Sequence, residues 1–432
     1  MTERIETVLE RGDDKGVLSL FPAMKSAALP DWQGARWVGT LDLERLGHHE
    51  RIELQNCAGY GRARLLVREG AAVRGFIDVE TPQGVLEREV LDEALAELPA
   101  PLVKASRFPM PPITVIVCTR NRTSQLRGAL EALRDLDYPD FDVLVVDNAP
   151  RTTETLDMVR RDFRDPRITL VQEPVPGLSQ ARNTGLRMAR GGIVAFTDDD
   201  VVVDKAWLRE IAAGFAQTPD AACVTGLVPA GEVRSRVQEY FNERVSWSKV
   251  VVPAVYSLAD PPADLPKFPF SPGAFGTGAN FALDREVANS LGGFDTALGA
   301  GTRTGGGEDI DMFTRVILAG YSLVVQPSAI AWHRHRDGLD DLRTQASSYG
   351  RGLGAWLTKI LLNPRTAPIA LRRAPGVAWS ALRSTPAPRP SEASDDEWDA
   401  VLADVLRLEL FSIALGPLHY LLERLSVPRM QR

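Results

Sequence analysis

The sequence predicts an α/β protein with a mostly parallel sheet covered by helices on both faces, a small β-rich segment before it and a helical segment after it. Three observations carry this prediction. Over residues 109–338, continuous apolar, β-branched runs alternate with amphipathic stretches: residues 113–118 (ITVIVC) lead into Leu126, Ala129, Leu130 and Leu133 at helical spacing. Ahead of that region the chain reads as short strands broken by glycine turns, and behind it the strand pattern stops. A chain of 432 residues also exceeds the ~250 to 300 at which single cores stop growing, so two or three domains are expected.

Taken in order, residues 1–108 form the β-rich segment. Runs at 62–68 and 73–79 are strand-like, and Glu69-Gly70 and Pro82-Gln83-Gly84 supply the turns. Pro99, Pro101, Pro109, Pro111 and Pro112 stiffen a linker and set a boundary near residue 108. The middle region, 109–338, predicts strands at 113–118, 141–146, 168–171, 193–196, 222–228 and 329–332. Its helices fall at 179–190 and 204–215, with another opening at Glu308. Residues 339–432 read as a helical extension: Leu353, Trp356, Leu357, Ile360 and Leu361 make one apolar stripe, and 401–425 hold a second. Between them, 386–390 and the acidic 392–396 read as a linker or flexible loop.

Composition excludes several classes of function. Hydrophobic residues at 44% and charged residues at 25% describe a folded, cored protein. A net charge of -7 leaves no broad basic field for a polyanion, so nucleic acid is not an expected partner. Cys57, Cys118 and Cys223 are odd in number and far apart, which fits a reducing cytoplasm. Residues 1–10 carry acids where a secretion signal needs a basic flank and an apolar run. The longest apolar stretch, 410–422, is interrupted by Gly416, Pro417 and His419. The expectation is therefore a cytoplasmic protein that is soluble, or at most lies on the inner face of a membrane.

Chemistry concentrates at Phe196-Thr197-Asp198-Asp199-Asp200, at the end of a central strand. Three adjacent carboxylates repel one another unless a cation offsets them, and an oxygen-rich site of this kind suits Mg²⁺ or Mn²⁺ bridging substrate phosphates. A solvated acidic turn is the plainer alternative. In parallel sheets ligands bind at the carboxyl ends of the strands, which directs attention to the loops there. Cys118-Thr119-Arg120-Asn121-Arg122 follows the first strand, Val146-Asp147-Asn148 the second, Ala181-Arg182-Asn183 falls in the helix at 179–190 and, further on, stands Gly307-Glu308-Asp309. In this order and spacing, over about residues 112–335, the set resembles family 2 glycosyltransferases, of the kind that act on bacterial cell-surface or secondary-metabolite acceptors.

The resemblance implies a GT-A fold, a Rossmann-like mixed sheet that binds nucleotide-diphospho-sugars, and inverting, metal-dependent transfer from a nucleotide-sugar donor to a hydroxyl of a small-molecule, glycan or lipid-linked acceptor. It implies that Thr119, Arg120, Asn121 and Arg122 border the nucleoside and that Asp147 accepts from the imide N–H of uracil or thymine, favouring UDP or dTDP donors. Asp147 could equally cap its loop. Arg182 would lie by the donor phosphates. The family's Asp-x-Asp motif maps onto Asp198 and Asp200, with Asp200 the metal ligand, while the acidic Asp199 leaves the division of work open. His333, ahead of His335, would supply a further metal ligand. Asp309 would be the general base, with Glu308 supporting it or touching acceptor, although a helix-start carboxylate is also a simple cap. Residues 275–281 would wall the pocket, and the glycine-rich 298–307 would order on donor binding, Arg303 meeting phosphate or acceptor.

Three other classes of protein compete for the same residues. A sugar-nucleotide pyrophosphorylase would need a glycine-rich loop with a lysine where Thr119-Arg120-Asn121-Arg122 stands, and a dehydrogenase would need G-x-G-x-x-G there. A non-catalytic carbohydrate-binding or assembly protein would work through its N-terminal segment. That segment is compatible with acceptor binding, with a homodimer contact or with shielding the sheet. Arg372, Arg373, Arg383, Arg424 and Arg429, near apolar residues, suit either an anionic membrane surface or packing on the middle domain.

Overall fold

A computed structural model describes residues 16–26, 28–100, 108–271, 273–373 and 396–426. The expectations for residues 1–10, for Pro101 in the linker, for 386–395, and for Arg383 and Arg429 lie outside the described residues. The chain divides into two compact units, one from the first 104 residues with Gly231–Glu239, the other from Ala105–Ala230 and Tyr240–Arg432.

The first unit holds β1 (Val17–Leu20), β2 (Arg36–Asp42), α1 (Leu43–Leu46), β3 (Arg51–Leu54), β4 (Arg62–Glu69), β5 (Ala72–Glu80), β6 (Val85–Glu87) and α2 (Arg88–Ala96). They make two three-stranded sheets, β1-β3-β6 and β2-β4-β5. Period-two alternation explains the packing: Ile52 and Leu54 of β3 turn inward with Leu41, Ala63 and Leu65, while Arg51 and Glu53 stay outside or half-buried. Gly231–Glu239 belongs here because Arg36 donates its backbone N–H to Val233 O at 2.8 Å and its guanidinium to Glu239 Oε1 at 2.7 Å.

The second unit runs β7 (Ile113–Thr119), α3 (Thr123–Arg134), β8 (Phe141–Asn148), α4 (Glu154–Asp162), β9 (Ile168–Glu173), α5 (Leu178–Met188), β10 (Ile193–Asp198), β11 (Val201–Val203), α6 (Trp207–Phe215) and β12 (Ala221–Leu227). It continues with α7 (Arg236–Arg244), whose first residues belong to the other unit, β13 (Ala254–Tyr256), β14 (Asn280–Asp284), α8 (Arg285–Ser290), α9 (Glu308–Leu318), β15 (Ser322–His333), α10 (Leu339–Leu362) and α11 (Asp396–Ser426). One sheet collects the strands in the order β11-β15-β12-β14-β10-β7-β8-β9, with β13 also on β15.

β10, β7, β8 and β9 are parallel, as the continuous apolar runs predict. The sheet is nonetheless mixed, because β14 enters antiparallel between β10 and β12. β15 is also longer than the predicted 329–332. Its pairing with β12 skips from Gln326 to Ile330, at the point where Pro327 has no N–H to give a ladder. Alternation then loads both faces: Val115 and Val117 pack with Leu126, Leu130 and Trp207 on one side, Ile116 with Phe196, Phe281 and Phe313 on the other.

α10 and α11 follow the sheet and lie against each other backbone to backbone, since a Cβ on Gly416 would stand 2.5 Å from Gly354 Cα. No helix among the described residues is long and apolar enough to cross a membrane.

Candidate active site

Strand register brings the acids and their partners together. Asp198, the last residue of β10, pairs with Cys118 of β7, and Thr119 of β7 pairs with Asp147 of β8. Immediately after the triplet, β11 pairs antiparallel with β15 so that Val201 faces His333. That register sets the His333 imidazole beside Asp200, Nε2 to Oδ1 at 3.5 Å.

The three aspartates occupy different surroundings. Asp199 turns inward and is 3% exposed; it accepts from Thr119 Oγ1 at 2.7 Å and from Arg122 Nη1 at 2.6 Å. Arg122 Nη2 donates to Asp200 Oδ2 at 2.6 Å, which leaves Oδ1 toward His333. Asp198 stands 3.7 Å from Arg182 Nη2. Burial raises Asp199 to about 7 against the pull of Arg122, and raises Asp198 to about 6 against that of Arg182. At Asp200 burial is outweighed by His333 and Arg122, which hold its carboxyl well below the usual range. Burial disfavours the charged form of His333, but Asp200 outweighs it and raises the imidazole. His335 stacks on Phe241 with ring centroids 5.7 Å apart, and burial lowers it to about 3, so its ring is neutral.

Across from the triplet, Arg182 of α5 is 2% exposed and ties two elements together. Nη1 donates to Glu308 Oε1 at 2.8 Å and Nη2 to Gly278 O at 2.9 Å, with the guanidinium 5.3 Å from the Phe281 ring centroid. Gly278 in turn donates its N–H to Asp309 Oδ2 at 2.7 Å. A Cβ at Gly278 would lie 2.9 Å from Arg182 Nη2 and 3.1 Å from Asp309 Oδ2, so only glycine lets the loop carry both contacts. Burial and the neighbouring Asp309 raise Glu308 to about 7, with Arg182 opposing.

A cleft of about 470 Å³, the size of a small-ligand site, is lined by Thr119, Arg120, Arg122, Asp198, Asp199, Asp200 and His333, with Thr277 and Ala279. Arg182, Glu308 and Asp309 lie behind this lining and join it through Gly278 and Asp198. Two further sequence-picked residues stand away from the cleft surface. Asn121, at φ 54, spends its Oδ1 accepting from Arg151 N at 2.9 Å. Asp147 is fully buried, and the next residue, Asn148, lines the cleft instead. Neither Asp147 oxygen makes a well-formed hydrogen bond among the described residues; burial raises its pKa, and the nearby Gln172 amide pulls it back.

The glycine-rich loop is packed in this structure. A Cβ on Gly307 would come within 2.8 Å of Gly352 O of α10, and one on Gly305 within 3.2 Å of Ser348 Cβ. Arg303 points to α11, its backbone N–H donating to Glu423 Oε2 at 3.2 Å. Sequence reading missed the cleft residues Phe241 and Trp247 and, from α10, Thr344, Gln345, Ser348 and Tyr349. No motif marks them; those of α10 reach the cleft because α10 packs against residues 305–307.

Among the described residues no three His, Cys, Asp or Glu side chains gather as a closed metal cage. Asp200 Oδ1 and His333 Nε2, 3.5 Å apart, are spaced to share one ion. That donor set fits Mg²⁺ or Mn²⁺, which typically take one or two protein ligands and complete their shell with water and substrate phosphates.

An acid triplet ending one central strand, joined through a buried arginine to a carboxylate pair opening a helix, on a sheet of this order, defines a GT-A glycosyltransferase domain. Residues 114–292 match the glycosyl transferase family 2 model, and the domain belongs to that family. The pre-mycofactocin glycosyltransferase of Mycobacterium tuberculosis is 28% identical over 330 residues, 74% of this chain and 63% of that protein. The succinoglycan biosynthesis protein ExoM of Rhizobium meliloti is 30% identical over 228 residues, 50% of this chain and 65% of that one. The chain thus spans less than two thirds of the length of these relatives. Among solved structures, the mannosyltransferase PcManGT from Pyrobaculum calidifontis, in complex with GDP-Man and Mn²⁺, is 23% identical, covers 74% of this chain and 90% of that one, and has a TM-score of 0.43. S. aureus TarS 1-349 with UDP-GlcNAc is 18% identical, with coverages of 73% and 87% and a TM-score of 0.43.

Proposed function

We propose that the protein transfers a sugar from a nucleotide diphosphate to an acceptor hydroxyl with inversion at the anomeric carbon, using Mg²⁺ or Mn²⁺. The observation that carries this reading is the Asp198–Arg182–Glu308 chain of contacts, with Asp309 beside it on Gly278, which joins the acidic strand end to the helix-start carboxylates at one cleft.

Asp200 and His333 would hold the metal, with Asp198 next to it. Bound there, the ion would offset charge developing on the departing diphosphate. Arg182 adds a fixed positive charge at the same end, and its two ion pairs hold it in place before substrate arrives. Arg120 and Arg122 face the cleft where phosphate oxygens would lie. Asp309 takes the proton from the attacking hydroxyl, and a single displacement on the face opposite the leaving group inverts the centre. Its Oδ2 is oriented by the Gly278 N–H, so the base is aimed by backbone. A UDP or dTDP donor fits the Asp147 carboxylate only if donor binding uncovers it, because Asp147 is fully buried and Asn148 lines the cleft in its place.

The test is a panel of UDP, dTDP and GDP sugars screened by thermal shift with Mn²⁺, followed by nucleotide release with the stabilising donors. Stabilisation by pyrimidine nucleotide sugars that disappears on chelation supports the reading. A panel in which no donor is bound, or in which binding ignores the metal, removes it.

A further inference from the structure

We propose that the outer side of the α10–α11 pair docks on an anionic phospholipid membrane. α11 is apolar on two opposite sides. Its inner side buries Val405, Ser412 and Tyr420. Its outer side presents Leu406, Leu410, Phe411, Leu418, Leu421 and Leu425, with exposures from 48% at Leu421 to 76% at Leu425. At 3.6 residues per turn these positions fall on one stripe, about 29 Å long at 1.5 Å per residue. A continuous apolar stripe of that length is an interaction surface, whereas exposed leucines scattered singly need no explanation.

α10 extends the surface at one end. The two helices run parallel, since Arg343 Nε lies 3.5 Å from Asp404 near their starts and Gly354 rests on Gly416 further along. Leu361 and Leu362 of α10, 53% and 61% exposed, therefore surface at the same end as Leu421 and Leu425. Next along the chain come Leu371, 63% exposed, and the exposed arginines Arg365, Arg372 and Arg373, none of them in an ion pair with another described residue.

Charge decides between occupants. A second copy meeting this end by two-fold symmetry would set these arginines against their own equivalents. Anionic headgroups take the arginines while the acyl boundary takes the leucines at the same level. The exposed acids Asp340, Glu397, Asp399 and Asp404 and the half-buried Asp341 sit at the opposite end, and Glu423 is engaged by Arg303. Because no described helix can span a bilayer, the contact lies in the plane of the surface. α10 also lines the cleft with Gln345 and Tyr349 near its start, so docking would hold the cleft within roughly the helix's own 36 Å of the lipid.

The experiment is co-sedimentation of the full chain, without donor, with vesicles of phosphatidylcholine alone or with about 30% phosphatidylglycerol. Binding to the anionic vesicles that weakens with added salt is expected, together with at least a tenfold loss of partitioning in Phe411→Glu/Leu418→Glu. Arg372→Glu/Arg373→Glu should remove the preference for anionic lipid. Donor hydrolysis, read separately, should be the same in all of these variants, so a failure of the catalytic reading would not be mistaken for a failure of docking. Absence of wild-type binding to either vesicle overturns the proposal. So does dimerisation in light scattering that Phe411→Glu abolishes, which would assign the stripe to a second copy.

Discussion

Replacing Arg182 with methionine tests whether the buried ion network carries the joint between the two acidic elements. The Arg182 and Glu308 side chains are 3% and 7% exposed. Removing one partner of such a pair costs about 3–5 kcal/mol, because the other charge is left buried. Glu308 limits the loss: its pKa is already about 7, so on losing the guanidinium it takes up a proton at neutral pH and does not remain an unpaired anion. The lower end, about 3 kcal/mol, is therefore expected, a melting temperature lower by roughly 6 °C at about 2 °C per kcal/mol. The pH dependence follows from linkage. Without Arg182 the folded-state pKa of Glu308 rises further above its unfolded value of about 4.3, so the folded variant binds more protons than the unfolded chain. The deficit should grow as pH rises through 7 and shrink toward 5. Adding Glu308→Gln removes the orphaned acid and should recover about 1–2 kcal/mol, read as non-additivity in calorimetric melts of all four proteins of the cycle. Additive losses, or an Arg182→Met deficit that ignores pH, would refute the argument.

Asp309→Asn should keep nucleotide binding yet lose transfer by about 10²- to 10⁴-fold, and near-wild-type turnover would take Asp309 out of the mechanism. Asp200→Ala should abolish Mn²⁺-stimulated donor binding in titration calorimetry; unchanged donor affinity counts against the metal assignment. Gly278→Ala, whose methyl would sit 2.9 Å from Arg182 Nη2, should displace Arg182 or Asp309 and cut kcat about 100-fold with little change in donor affinity. Gly306→Ala separates two accounts of the glycine loop: its Cβ would meet nothing nearer than Ser348 O at 3.8 Å, so turnover near wild type fits packing, and a several-fold loss fits a hinge.

The parallel core was legible because β7, β8 and β10 are buried on both faces and so write themselves as unbroken apolar runs. β14 was not. It is five residues long and follows directly on Gly276 and Gly278, so no periodicity develops before α8 begins at Arg285. The acid triplet was visible as three adjacent letters, but its division of labour was not, because that depends on Thr119 and Arg122, which lie about 80 positions earlier and reach Asp199 only through strand register.

The glycines of 305–307 show where sequence reading meets a physical limit. Glycine is used where the chain must bend freely, and it is used where another backbone comes too close for a Cβ. Both causes write the same letter. Here Gly307 adopts φ 93 to start α9 and has Gly352 O where its Cβ would be, so the second cause operates at the residue just before the Glu308-Asp309 pair. The position of the proposed base is therefore set partly by α10, a helix beyond the segment that matches the family. A helix that acts by backbone proximity needs only a small residue at the crossing, and Gly352, which meets Gly306 and Gly307 there, carries no chemical signature by which a site could be read.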